Sequence, residues 1–310
     1  MYMNSYSLSY LKQLEAESIH IMREIVAEAR NPVMLYSVGK DSSVMVRLAQ
    51  KAFYPGKFPF PLLHIDTGYK FPEMYAFRDR FCRDIAAKLI VERHEAWIEK
   101  GAHPLTLGTT MCCAQLKTRG LLMGIEKHGF DMAFGGARRE EEKSRAKERV
   151  CSIRDEFGQW DPKNQRPELW DLYNTRLNEG QSMRVFPLSN WTEIDIWNYI
   201  KLEKIPVVPL YFAREREVIE RNGILLLASS YSVFADKPQA KIDPEAIEVT
   251  PCRFRSLGCM PCTGAVRSTA ATIDEIIAEL RQVRKSEREN RLIDLGSDSA
   301  MEEKKKEGYF

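Results

Sequence analysis

The 310-residue chain, 35.8 kDa, is 44% hydrophobic and 29% charged, with a mean hydropathy of −0.38; these values belong to a globular protein and exclude a disordered or collagen-like chain. Forty-six basic residues against 44 acidic ones leave a net charge of +2, which does not announce a nucleic-acid binder but leaves room for a small anion held by local charge. No apolar run is long enough to span a bilayer, the first residues lack the basic and apolar stretches of a signal peptide, and seven cysteines in a chain too long to need staples predict free thiols or metal ligands in a reducing cytoplasm.

Leu8 to Arg30 has the pattern of an amphipathic helix. Asn31-Pro32 ends it, because the residue before a proline is pushed out of the helical region. Val33 to Val38 is a short apolar run and predicts a buried parallel strand. The helix expected from Ser42 to Phe53 places Val44, Met45, Leu48, Ala49, Ala52 and Phe53 on one face. The alternation continues with a strand at Pro61 to Ile65, a helix at Pro72 to Lys88 and a strand at Leu89 to Glu92. A helix at Ala114 to His128 and a strand at Asp131 to Phe134, running into Gly135-Gly136, come next. Met183 to Phe186 is a fifth strand and Glu193 to Leu202 a helix. Residues 223–248 give no clear element, Thr272 to Arg288 reads as a helix, and the last 20 residues as a polar surface extension. Strands separated by helices at this spacing predict an α/β protein with a doubly wound, mostly parallel sheet. We expect an α/β domain over 1–215 and a C-terminal extension over 216–310 packed on it. No internal repeat is present.

Ser37-Val38-Gly39-Lys40-Asp41-Ser42 stands between the first strand and its helix. Open α/β sheets bind ligands at the carboxyl ends of their strands, and a helix N-terminus offers N–H groups and partial positive charge to a phosphate. Gly39 lets the backbone come close, Lys40 adds a full charge, and Ser42 and Ser43 supply hydroxyls. The same residues also suit a turn capped by Asp41 or Ser42. Gly135-Gly136-Ala137-Arg138-Arg139 follows the fourth strand and opens on the same edge. If the run that follows is helical, Arg138, Glu142, Arg145 and Arg149 form one stripe, able to clamp a doubly charged anion. A solvated helix held by acid–base pairs is the other meaning of such mixed charge.

The segment from Ser37 to Ser42 resembles the pyrophosphate loop of the ATP-pyrophosphatase enzymes, usually Ser-Gly-Gly-x-Asp-Ser, with Val38 in place of the first glycine. The resemblance implies a sheet of the adenine-nucleotide α-hydrolase (Rossmann-like) type and cleavage of ATP between its α and β phosphates. It also implies an acidic turn beside the nucleotide, here Asp66 in His64-Ile65-Asp66-Thr67-Gly68, for Mg2+ or the ribose; a turn-capping aspartate is the alternative. Phe134 to Arg149, Trp160 to Trp170, Val185 to Glu193, Thr263 to Val266 and Gly308-Tyr309-Phe310 look like the small subunit of the two-subunit bacterial ATP sulfurylase. That family joins sulfate to the AMP part of ATP and works with a large GTPase subunit. The resemblance implies phosphate contacts from Ser37, Gly39, Lys40, Asp41 and Ser42, with Lys40, Arg138 and Arg139 stabilising charge on the reacting anions.

Cys112-Cys113 and Cys259-Met260-Pro261-Cys262 carry a metal-ligand spacing. With Lys117 soon after the first pair, they resemble the [4Fe–4S] site of bacterial adenylyl-sulfate reductases. Free thiols, a zinc site and a redox-active Cys259–Cys262 pair remain open alternatives. Cys82, Cys151 and Cys252 read as small apolar residues. A reductase of adenylyl sulfate would need a further cysteine in a C-terminal tail, and none follows Cys262. A non-catalytic nucleotide-binding regulatory subunit is a third reading, against which the full Ser-x-Gly-Lys-Asp-Ser loop argues.

Overall fold

The apolar runs pair into one sheet. In a computed structural model, which describes residues 9–221, 223–232 and 243–282, the strands Pro32–Leu35 (β1), Leu62–Ile65 (β2), Leu89–Glu92 (β3), Met132–Phe134 (β4), Cys151–Arg154 (β5) and Ser182–Val185 (β6) assemble in the order β3-β2-β1-β4-β6-β5. All neighbours are parallel except β5, which runs antiparallel to β6. The helices in chain order are Tyr10–Glu28 (α1), Lys40–Ala52 (α2), Pro72–Asp84 (α3), Glu95–Glu99 (α4), Pro104–Cys113 (α5), Gly120–His128 (α6), Lys143–Ala146 (α7) and Glu193–Glu203 (α8).

Side chains alternate across a strand, and both faces of this sheet are covered. Met34 and Leu62 join α1, α2, α3 and α8 in the main core, while their neighbours Val33 and Leu63 pack with Leu121 and Ile125 of α6. Helices on both faces make the sheet doubly wound, as the alternating pattern predicts. Thr192 and Asp195 start α8 as a reciprocal cap: the Asp195 N–H donates to Thr192 Oγ1 at 3.2 Å and the Thr192 N–H to Asp195 Oδ2 at 2.9 Å.

Within residues 223–248, which gave no element from sequence, Ile224–Leu227 and Glu248 belong to a second sheet. Arg214–Arg221 (β7), Ile224–Leu227 (β8), Glu248–Arg253 (β9) and Val266–Arg267 (β10) form it, all antiparallel, in the order β10-β9-β7-β8. The strand β7 reads Arg-Glu-Arg-Glu-Val-Ile-Glu-Arg, a run of charges without the apolar alternation that marks a half-buried strand. Ser229–Ser232 (α9) and Ile273–Leu280 (α10) complete the described elements. Val218, Cys252, Phe254 and Ile276 from this part join the main core. The expected polar tail, Gly308-Tyr309-Phe310, Leu8 and the helix beyond Gln282 lie outside the described residues. No helix among the described residues is long and apolar enough to cross a membrane.

Three local expectations are corrected. The first strand ends at Leu35 rather than Val38, because Val38 takes a left-handed φ of 66° that no strand tolerates. Cys112-Cys113 closes α5 instead of preceding a helix, and a π-helical segment, Ala114–Arg119, carries the chain straight on into α6. The arginine run is not one helix: Arg139–Glu141 is a 3-10 turn, Glu142 is extended (φ −162°, ψ 158°), and α7 is a single turn. Arg138, Arg145 and Arg149 therefore do not share a helical stripe.

The strand β5 was also invisible as Cys-Ser-Ile-Arg, and its outer edge is protected by side chains. The Glu168 carboxylate accepts the backbone N–H groups of Val150 and Cys151 at 3.0 and 2.7 Å. The Gln165 amide accepts from Ile153 N–H at 2.9 Å and donates to the Ile153 carbonyl at 3.2 Å. These bonds stand where a further strand would otherwise add. Glu168→Ala leaves two edge N–H groups without that acceptor and should lower stability by about 1–3 kcal/mol. Equilibrium urea unfolding reads this as a drop in midpoint at unchanged slope; an unmoved midpoint would show that water replaces the carboxylate at no cost.

Candidate active site

The strand order reverses direction between β1 and β4, so the loops leaving their carboxyl ends part and open a crevice. The first of these loops, Tyr36 to Gly39, enters α2 at Lys40. Val38 holds φ 66° where the related loops carry glycine; a β-branched residue there costs on the order of 1–3 kcal/mol, and full burial of its side chain helps to fix it. The second loop touches the first. A Cβ on Gly136 would stand 3.2 Å from Asp41 Cβ and 3.5 Å from the Asp41 carbonyl carbon, so a side chain at 136 would push the two loops apart.

Buried ions tie this junction. The Arg138 guanidinium is fully buried and donates through Nε to Asp41 Oδ1 at 2.8 Å and through Nη1 to Glu140 Oε1 at 2.5 Å. Lys40, 1% exposed, places Nζ 3.3 Å from Asp41 Oδ2 and 3.3 Å from the Arg255 carbonyl. Its backbone N–H donates to the Tyr211 hydroxyl at 2.8 Å. The hydroxyls of Ser42 and Ser43 both donate to the Gly39 carbonyl, at 2.9 and 3.1 Å. The loop is thus held by hydrogen bonds of its own and by the Tyr211 hydroxyl.

Above it lies a cleft with an empty volume of about 1160 Å3, part of it open to solvent. Ser37, Gly39, Asp41 and Ser42 form one side. Gly136, Ala137, Glu141 and Arg145 come from the loop after β4 and from α7. Leu35, Leu63, Ile65 and Leu121 give apolar walls suited to the flat face of a base, while Lys70 and Lys117 add positive charge. Tyr211 and Ser256-Leu257-Gly258 close the cleft from the second sheet's side. His64 at the end of β2 is 1% exposed, with Nδ1 2.8 Å from the Tyr36 carbonyl. Burial, then the charge of Lys70, pushes its pKa down to about 4, so the ring is neutral and donates from Nδ1.

The expected site residues fall into three groups. Ser37, Gly39, Asp41 and Ser42 line the cleft, with Lys40 and Arg138 packed immediately behind them. Arg139 turns to Asn190, which its Nη1 contacts, and is not among the lining residues. Asp66 is engaged in its own turn, accepting from the Gly68 N–H at 2.8 Å and the Tyr75 hydroxyl at 2.7 Å. Burial raises its carboxyl pKa, but these bonds and nearby Arg93 outweigh that and hold it below the usual range. Sequence reasoning missed His64, Lys70, Tyr211 and Ser256 to Gly258; of these only His64, two residues before Asp66 in the acidic turn, stood in a quoted motif.

The two cysteine pairs, about 146 residues apart in sequence, converge. Burial pushes the Cys112 thiol up to about 12, with Cys113 and Cys259 near enough to add to the shift. Burial likewise raises Cys262, helped by Cys259, Cys113 and Cys112. Thr67 Oγ1 lies 3.1 Å from Cys259 Sγ, and the Met260 N–H donates to the Tyr69 carbonyl at 2.7 Å. Among the described residues no group of three or more His, Cys, Asp or Glu side chains is arranged to hold a metal ion.

Several known proteins are similar to this chain. The model of the phosphoadenosine phosphosulfate reductase domain matches residues 31–265. The chain is 58% identical over 306 residues to sulfate adenylyltransferase subunit 2 of Phocaeicola vulgatus, covering 99% of both proteins. It is 58% identical over 308 residues to sulfate adenylyltransferase subunit 2 of Bacteroides thetaiotaomicron, covering 99% of this chain and 100% of that one. Among solved structures, phosphoadenylyl-sulfate reductase from Candida auris, in a phosphate complex, aligns with a TM-score of 0.45 at 16% identity, over 67% of this chain and 93% of that chain. The chain belongs to the phosphoadenosine phosphosulfate reductase domain family and, within it, to the sulfate adenylyltransferase subunit 2 proteins.

The neutral His64 has a consequence for stability. In the unfolded chain the ring takes a proton near pH 6.5, while the folded chain resists until about pH 4. The unfolded state therefore binds more protons in that window, and the stability that His64 contributes is whole above pH 6.5 and lost as the pH falls toward 4. The loss is about 3 kcal/mol. Urea unfolding of wild type and His64→Gln at both pH values should show the variant losing less by roughly that amount; equal losses would mean that the ring is protonated in the folded protein.

Proposed function

We propose that the protein transfers the adenylyl group of ATP to sulfate, forming adenylyl sulfate and pyrophosphate, as one subunit of a heteromer. The observation that carries this reading is the cleft between the loops after β1 and β4, with Ser37, Gly39, Asp41 and Ser42 on its wall, in a chain 58% identical to proteins named for that reaction. A sulfate oxygen is a poor nucleophile, and the phosphorus that it attacks is surrounded by negative oxygens. Catalysis then comes from placing the two anions in line and stabilising charge on the departing pyrophosphate. No covalent intermediate with the protein is needed.

In this reading the N-terminus of α2 and the loop from Ser37 to Ser42 receive the phosphates. Lys40 supplies a full positive charge directly behind them. Arg138 acts through Asp41, which it holds against the loop after β4; Arg139 stands farther off, beside Asn190. A magnesium ion bound with ATP would neutralise part of the phosphate charge, and Asp41 and Glu141, the carboxylates that line the cleft, would hold it through water. Asp66, held in its turn by Tyr75 and Gly68, would serve the ribose side. The cysteines stay outside the mechanism, and no step is routed through them.

The name "subunit 2" of the relatives implies a partner subunit. Forming adenylyl sulfate from ATP is uphill, so the partner is proposed to be a GTPase whose hydrolysis drives the reaction in the cytoplasm. The chain should form adenylyl sulfate weakly by itself with ATP and sulfate, and strongly with a GTPase subunit and GTP. Full accumulation by the chain alone, independent of GTP, would contradict the coupling.

Lys40→Met keeps most of the buried stem and removes the charge. Turnover by the assembled enzyme should fall roughly 10²–10³-fold, as when one transition-state donor is lost, in a variant that still folds but with a lower thermal unfolding midpoint, because Asp41 keeps only Arg138. Near-normal turnover would remove the loop lysine from the mechanism.

A further inference from the structure

The sequence offered Arg138 and Arg139, just after Gly135-Gly136, for the sulfate or the pyrophosphate, and the structure places those two elsewhere. Arg138 is locked to Asp41 and Glu140, and Arg139 to Asn190. Among the described residues, Arg145 is the one arginine that lines the cleft. It is 6% exposed, on the single turn α7, with Nε 3.3 Å from Glu141 Oε2 and 3.1 Å from Glu142 Oε1. Two carboxylates thus anchor the guanidinium at its inner nitrogen. A planar, weakly hydrated guanidinium fork suits a tetrahedral oxyanion in a partly dry site better than a lysine ammonium does.

A second observation lies behind it. Arg184 on β6 is 1% exposed, and both of its terminal nitrogens are buried without a hydrogen-bond partner. Beside it, Arg154 gives one terminal nitrogen to Glu148 Oε1 at 2.6 Å, and its other is likewise buried and unpartnered. Ser152 Oγ donates to the same Glu148 oxygen at 2.9 Å. Arg154 feels the charges of both Glu148 and Arg145, so the cluster runs from the sheet interior to the cleft wall. Proteins rarely bury a guanidinium without an acceptor, because the lost hydration is not replaced. Here Glu148 serves Arg154, and Arg184 has no hydrogen-bonded carboxylate of its own. Arg184 feels the charges of Arg154 and Glu148, and Arg154 that of Arg145, so the buried positive charge reaches the cleft wall through Arg154.

We infer that Arg145, backed by the buried Arg154–Glu148–Arg184 cluster, is the cleft residue that binds the sulfate dianion and sets the affinity for tetrahedral oxyanions. This rests on the reading of the chain as a sulfate adenylyltransferase. Arg145 is then a substrate-contacting residue, and Arg154 and Arg184 are positioning residues that act through it.

The test uses the enzyme assembled with its partner subunit. Arg145→Lys keeps a charge beside Glu141 and Glu142 but loses the fork, and Arg145→Gln loses both. Adenylyl sulfate formation gives KM for sulfate, and calorimetry on the same samples gives the affinity for ATP. We expect the sulfate KM to rise at least tenfold in Arg145→Lys and further in Arg145→Gln, with ATP affinity within twofold of wild type. Retained ATP binding also certifies the fold; if Arg145→Gln does not fold, Arg145→Lys decides alone. An unchanged sulfate KM, or an ATP affinity that falls as far as the sulfate affinity, overturns the assignment of Arg145 while the proposed reaction stands. Wild-type enzyme that makes no adenylyl sulfate overturns the reaction, and the assignment with it.

Discussion

One carboxylate shared between two buried cations holds the candidate site together. Asp41 takes the Arg138 guanidinium on one oxygen and the Lys40 ammonium on the other, at 2.8 and 3.3 Å. Asp41 and Lys40 belong to the first turn of α2, and Arg138 follows β4. The network therefore spans the point where the sheet reverses, and it fixes the two walls of the cleft relative to each other. Removing one member of such a buried set leaves its partners charged and unpaired, at a cost of about 3–5 kcal/mol. Gly136 makes the contact possible by leaving room for Asp41. Glu140 and Glu141 complete it from the other side, one on the Arg138 guanidinium and one on its backbone N–H, at 2.5 and 3.0 Å.

The second sheet is part of the same construction. Its approach brings the Tyr211 hydroxyl onto the Lys40 N–H and the Arg255 carbonyl onto Lys40 Nζ. Arg255 is held in turn by Glu193 Oε2 at 2.6 Å, at the start of α8, and Phe254 packs edge-on against Phe71 with ring centroids 5.0 Å apart. The loop lysine is thus positioned by elements distant in sequence, and its ammonium is buried because acceptors surround it.

The parallel sheet was legible because its strands are short apolar runs between amphipathic helices, and β3 has the limits that its sequence pattern predicts. What could not be read shares a physical cause. The strand β7 is mostly charged, β5 is four residues whose edge is satisfied by the side chains of Gln165 and Glu168, and the arginine run breaks at an extended Glu142. In each case tertiary bonds override the local pattern. The loop from Ser37 to Ser42 was legible because phosphate-type chemistry needs glycine, lysine and hydroxyls in one short stretch. His64, Lys70, Tyr211 and Ser256 were not, since each comes to the cleft from its own element and carries no spacing signal. The convergence of Cys112-Cys113 with Cys259 and Cys262 followed from the resemblance.

The central claim is that the loop after β1 cradles the phosphates of ATP, with Lys40 behind it and the wall after β4 opposite. The most direct measurement is a crystal structure of the protein with a non-hydrolysable ATP analogue and magnesium. The account predicts the β and γ phosphates against the Ser37 to Ser42 backbone, the α phosphate turned toward Gly136 and Ala137, and the base between Leu35, Leu63, Ile65 and Leu121. Phosphates bound away from that loop, with the network of Asp41, Lys40 and Arg138 intact, would contradict it.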